Sequence, residues 1–138
     1  MTTPSASIPV VAAVVRREGR YLLGRRPDGK RHGGLWEFPG GKVLEGESRL
    51  DAVRRELAEE MGLEVVGLGA LLFSVGDPGA PFVIDFVEAL AEGEPEAREH
   101  SSVGWLTAAQ LAEMPLAPAD ALFAARLTGG SEAPRGGR

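Results

Sequence analysis

Apolar and polar positions fall in short, repeated blocks along most of the chain. Residues 9–17 and 20–25 are aliphatic or β-branched runs separated by Glu18-Gly19, which predicts a strand pair joined by a tight turn. Residues 27–34 mix Pro, Asp, Gly, Lys, Arg and His without periodicity and are expected to form a mobile loop; strand character resumes at 36–38. Residues 48–61 carry the clearest helical pattern. Ser48 is a candidate N-cap with Asp51 three residues on, Leu50, Val53, Leu57 and Met61 recur at helical spacing, and Gly62 supplies a left-handed stop. Strands are then predicted at 65–74 and 82–90, on either side of the turn sequence Asp77-Pro78-Gly79, with a short one at 103–106. Thr107 can cap a helix over 108–114, and 119–127 reads as a final helix after Pro118. Strands surrounding one long helix and ending in one or two more predict an α/β fold, a mixed β-sheet covered on both faces. Residues 1–7 and 128–138 are small, polar or rich in Gly, Ser and Pro, and are expected to be disordered tails around a single domain at 8–127.

Composition narrows the chemistry. A chain of 138 residues that is 43% hydrophobic and 25% charged fits one continuous core. Cysteine is absent, so disulfides, thiolate metal sites and a cysteine nucleophile are excluded, and any metal must be held by oxygen or imidazole. The apolar stretch at 8–15 is too short to span a bilayer and lacks a basic flank, so no membrane association and a cytoplasmic location are expected. A formal net charge of −5 argues against a nucleic acid polymer as partner, because displacing its counterions needs a basic face. A small anionic ligand remains open where positive charge is gathered locally.

The predicted helix contains Arg55-Glu56-Leu57-Ala58-Glu59-Glu60. At helical spacing Glu56, Glu59 and Glu60 fall within an arc of about 100°. Like charges three and four residues apart repel by roughly 0.2–0.5 kcal/mol per pair, and a hard divalent cation would reverse the sign. Mg²⁺ takes oxygen ligands and commonly uses one or two carboxylates together with substrate phosphates. An isolated E-x-x-E-E is most often a solvated face. Here, however, Phe38-Pro39-Gly40-Gly41-Lys42 stands upstream, where two glycines allow close backbone approach to a ligand, and Glu47 opens the turn into the helix.

Gly41, Glu47, Arg55, Glu56, Leu57, Glu59, Glu60, Gly62 and Leu63 match every specified position of G-x₅-E-x₇-R-E-U-x-E-E-x-G-U, with U aliphatic. The segment therefore resembles the box of the Nudix hydrolase family. Residues 35–42 look like its MutT branch, and Leu116-Ala117-Pro118-Ala119-Asp120 is similar to the C-terminal motif of CTP pyrophosphohydrolases. The resemblance implies an α/β/α sandwich that hydrolyses a nucleoside triphosphate to the monophosphate and pyrophosphate. It further implies Mg²⁺, with Mn²⁺ as a substitute, bound by the Gly40 carbonyl with Glu56, Glu59 and Glu60. Arg55 would hold the glutamates by an ion pair, and Glu99 lies where family members carry a further carboxylate. Base recognition in this branch is assigned to the strand at Phe38 and to the position of Asp120.

Hydrolysis of a polyphosphate anion requires cations to neutralise the charge that repels water and builds on the leaving group. Arg26 and Lys42 are the candidate phosphate contacts. Glu56 is the first candidate for the proton-accepting carboxylate, with Glu47 and Glu99 as rivals, a role worth typically 10²–10⁴-fold. An ionised Asp120 would only accept hydrogen bonds, favouring a base edge that offers N–H groups; the bland alternative is a helix cap. His32 is read as an exposed loop histidine. The partner expected is thus a nucleotide, bound by a monomer or small homo-oligomer. Rival readings are hydrolysis of ADP-ribose, suggested by Pro78, a non-catalytic nucleotide-binding module, and an acidic structural domain without a ligand.

Overall fold

The computed structural model describes residues 7–77 and 79–128; the predicted tails, apart from Ser7 and Thr128, and Pro78, on which the ADP-ribose reading rests, lie outside the described residues. Strand β1 (Ile8–Val14) leads through the two-residue β2 (Arg16–Arg17) into β3 (Arg20–Arg25). Short strands β4 (Trp36–Glu37) and β5 (Gly40–Lys42) precede helix α1 (Arg49–Met61). The long strands β6 (Glu64–Gly76) and β7 (Phe82–Glu92) follow, then β8 (Ser102–Leu106), α2 (Ala108–Leu111) and α3 (Pro118–Thr128).

The strands form two four-stranded sheets. The first runs β5-β1-β7-β6 and is mixed, with β1 and β7 parallel; in the second, β3 pairs antiparallel with β2, β4 and β8. The predicted hairpin across Glu18-Gly19 is present but short. Only Arg16 and Arg17 pair with Arg20 and Tyr21, whereas the preceding residues sit between β5 and β7, so one hydrophobic run is divided between two sheets. Period-2 alternation sends Val11, Ala13 and Val15 to one face and Ala12 and Val14 to the other, and both faces are buried. On the first face α1 packs Ala52, Val53, Leu57 and Met61. On the second, Phe123 of α3 stacks on Phe86 with centroids 4.6 Å apart, and the Phe38 ring meets both edge-on. The layers are thus helix, sheets, helices, the predicted α/β sandwich.

Local chemistry sets the ends of α1. Ser48 accepts from the Asp51 amide at 3.0 Å, a cap worth about 1 kcal/mol, and Gly62 closes the helix at φ 68°. Helix α2 stops at Leu111, short of the predicted Met114. Its last bonds, Glu113 to Gln110 and Met114 to Leu111, tighten to the i−3 pattern ahead of Pro115, whose ring disfavours helical backbone before it. Strands β6 and β7 extend beyond their predicted limits, paired through three register irregularities.

Candidate active site

Strand β5, unforeseen because it is three residues long and two of them are glycine, brings the glycine pair against α1. A Cβ on Gly40 would stand 1.9 Å from the Val11 carbonyl oxygen, and one on Gly41 would stand 2.2 Å from Glu56 Oε2. Only glycine lets the strand and the Glu56 carboxylate share that space. The Gly40 amide donates to Glu60 Oε1 at 3.3 Å, so the backbone contact shown is the N–H.

Arg55 organises the rest. Its Nε and Nη2 donate to the two oxygens of Glu47 at 2.8 and 2.9 Å, its Nη1 donates to Glu56 Oε2 at 2.9 Å, and Nη2 also reaches the Lys42 carbonyl. Glu47 accepts from the Leu44 amide as well. The Arg55 hydrogen bonds, aided by that amide, hold the Glu47 carboxyl down at about 2, while Glu47 in turn raises the Arg55 guanidinium. A carboxylate so weakly basic, with both oxygens occupied, is a poor proton acceptor, which removes Glu47 from the candidates for that role.

Glu60 is 6% exposed. Burial above all, then the hydrogen-bonded Glu56 carboxylate and the nearby Glu37, push its carboxyl far up, against the opposing Gly40 amide. A divalent cation fits where two carboxylates are forced together in this way, since it can take the place of the proton that keeps them from repelling. The set is not ready-made: among the described residues no three acidic or imidazole side chains are gathered as one metal cluster. Glu56 and Glu60 converge beside Gly40. Glu59, with a side chain 54% exposed, leans toward Arg55 Nη1 at 3.7 Å, and Glu99 is exposed on the segment before β8.

A cavity of about 300 Å³ runs from Gly40, Gly41 and Lys42 past Phe38 and Arg26 to Asp120. Lys42 is exposed at its edge, with Nζ over the Phe82 ring at 5.5 Å. The Phe38 amide donates to Asp120 Oδ2 at 2.8 Å, joining β4's exit to the first turn of α3. Asp120 therefore spans the chain rather than simply capping its helix. Burial raises its carboxyl to about 8 in spite of that bond, so near neutral pH it is largely uncharged and both donates and accepts. Burial thus works against the ionised, accept-only Asp120 that the sequence suggests. The Phe38 ring is likewise a core group, 3% exposed.

One further departure, His32, lies in the loop at 27–34. The loop is held by backbone bonds and by an ion pair from Arg31 to Asp77 at 3.5 Å, and His32, at φ 59°, is half-buried on the cavity wall with Nε2 unpartnered. Arg26, the predicted phosphate contact, lies between this cavity and a second of about 400 Å³ lined by Lys30, Glu60, Glu99 and His100. Its Nη1 is 3.3 Å from both oxygens of Glu37, and Glu37 Oε2 is 2.9 Å from His100 Nε2. Glu37 and His100 escaped the sequence reading; their one signal is adjacency, to Phe38 and to Glu99.

The profile of the NUDIX domain matches residues 6–127. The chain belongs to the Nudix family. This Nudix hydrolase is 42% identical over 115 residues to a Mycobacterium tuberculosis protein provisionally named 8-oxo-dGTP diphosphatase 2, covering 80% of this chain and 81% of that one. It is 39% identical over 121 residues to the CTP pyrophosphohydrolase of Escherichia coli, covering 82% and 85%. The solution structure of the E. coli ORF135 protein matches at a TM-score of 0.75 and 34% identity, covering 92% of this chain and 94% of that one. No helix among the described residues of the Nudix hydrolase is long and apolar enough to cross a membrane.

Proposed function

We propose that this Nudix hydrolase is a nucleotide-pool enzyme that converts nucleoside triphosphates, of the 8-oxo-dGTP or CTP class, to the monophosphate and pyrophosphate. The observation that carries the reading is the continuous cavity joining Asp120 at one end to the Gly40–Gly41 strand and Lys42 at the other. The base would lie against Asp120 and the backbone at Phe38, with the polyphosphate directed toward α1. Relatives named for 8-oxo-dGTP and for CTP support the substrate class. A neutral carboxylic acid carries one O–H donor and keeps acceptor capacity, so a protonated Asp120 suits either base.

Mg²⁺, or Mn²⁺ in its place, would be held by Glu56 and Glu60 near Gly40, with Glu59 and Glu99 as further ligands, and supplies charge neutralisation and polarisation of water. The chain's own residues do the remainder. Arg26 and Lys42 draw in the phosphates, and Arg55, anchored on Glu47, fixes Glu56 in place. Glu56 accepts the proton as water adds to phosphorus and pyrophosphate departs.

The test is a panel of canonical and oxidised NTPs and dNTPs with ADP-ribose, assayed with Mg²⁺. Turnover of 8-oxo-dGTP or CTP with release of pyrophosphate is expected. Turnover of ADP-ribose alone, or of no nucleotide, would overturn the reading.

A further inference from the structure

The segment between β7 and β8 is fastened on both sides of His100. The Arg98 amide donates to the Glu60 carbonyl at 3.1 Å, and the Ser101 amide donates to the Arg25 carbonyl at 2.9 Å. His100 is 8% exposed, and its ring lies against Gly24 of β3, where a Cβ would stand 2.5 Å from the ring carbon Cγ. Its Nε2 is 2.9 Å from Glu37 Oε2 and 4.0 Å from Glu60 Oε1. A carboxylate only accepts, so the bond to Glu37 places a proton on Nε2. The other ring nitrogen, Nδ1, is buried with no hydrogen-bond partner. Leaving that nitrogen unpaired costs stability, and the ring nevertheless occupies this place between β3, β4 and α1. Immediately before it in the chain, Glu99 is exposed and lines the second cavity together with Glu60.

We propose that His100 is a positioning residue: wedged over Gly24 and bonded to Glu37, it fixes the segment that presents Glu99 to the cavity Glu60 also lines. The inference rests on the reading of Glu60 and Glu99 as part of the metal and phosphate site. Gly24 belongs to the same device, because any side chain there would expel the imidazole.

Two substitutions disturb the ring by independent routes, His100→Ala by removing it and Gly24→Ala by displacing it. Each is expected to lower kcat at saturating Mg²⁺ about 10–100-fold, the usual effect of losing a group that orients a metal ligand, with KM for the nucleotide little changed. Mn²⁺ binding without nucleotide, followed by electron paramagnetic resonance, should weaken in parallel. His100→Gln, whose amide can still donate to Glu37, should recover part of both. In a Glu99→Gln background His100→Ala should add almost nothing, since the two act through one group. Folded variants with unaltered kcat and Mn²⁺ binding, or additive losses with Glu99→Gln, would overturn the proposal. Should His100→Ala fail to fold, Gly24→Ala and His100→Gln carry the same comparison. A wild-type protein inert toward every nucleotide would instead refute the proposed activity, and the Mn²⁺ titrations would still decide the role of His100.

Discussion

Both oxygens of Glu47 are engaged by Arg55, and one also accepts from the Leu44 amide, which is why its carboxyl sits at about 2. A depressed folded-state value stabilises the protein above the unfolded value and loses that contribution as pH falls toward the folded one. The stability difference between wild type and Glu47→Gln should therefore be constant from neutrality down to about pH 4.5, then narrow and close near pH 2, as thermal melts will show. Asp120 has the opposite sign. Its carboxyl rises from 3.8 to about 8, so the fold bears no charge-burial penalty from it below pH 3.8 and loses stability progressively as pH rises to about 8. Asp120→Asn, which keeps an acceptor for the Phe38 amide, should raise Tm more at pH 8 than at pH 4; an equal change at both would show that Asp120 is ionised in the fold. At the reacting end, Glu56→Gln should fold normally and lose most turnover, with kcat down about 10²–10⁴-fold. An unchanged kcat would move the proton acceptor elsewhere, to Glu99.

Helix α1 was readable from sequence nearly to the residue because every local signal agrees: a Ser48 cap, apolar spacing onto Val53, Leu57 and Met61, and Gly62 at the stop. The glutamate positions followed from that helix. What could not be read was the partner element. Strand β5 is three residues without a hydrophobic pattern, made a strand by pairing with Val10, Val11 and Ala12 and by the space Glu56 occupies above Gly41. Glu59, on the same acidic arc, stands 3.7 Å from Arg55 Nη1 one turn earlier on the helix. Tertiary pairing also redirected residues 9–17, whose alternation fits either sheet equally well. At this scale the expectation is that Gly41→Ala leaves the helix intact by circular dichroism yet displaces the Glu56 carboxylate, lowering kcat by about a hundredfold, the scale of an ångström-sized misplacement. Retained activity would mean that Glu56 does not need its place over β5.

Across the whole molecule, the two sheets divide labour. The mixed sheet carries β5 and supports α1, while the second sheet places Arg26, just past β3, between the two cavities and bonded to Glu37 of β4. Asp120 reaches the site from the opposite helical layer through the Phe38 amide. The fold thus assembles the two ends of the cavity from elements that are distant in sequence, which is why Glu37, His100 and the Arg31–Asp77 pair carried almost no sequence signal. The most direct test of the account is phosphorus NMR of the products formed from 8-oxo-dGTP and from CTP, with Mg²⁺ and again with excess chelator. Nucleoside monophosphate and pyrophosphate in the first sample and no turnover in the second are predicted; orthophosphate with a nucleoside diphosphate, or hydrolysis that survives the chelator, would contradict it.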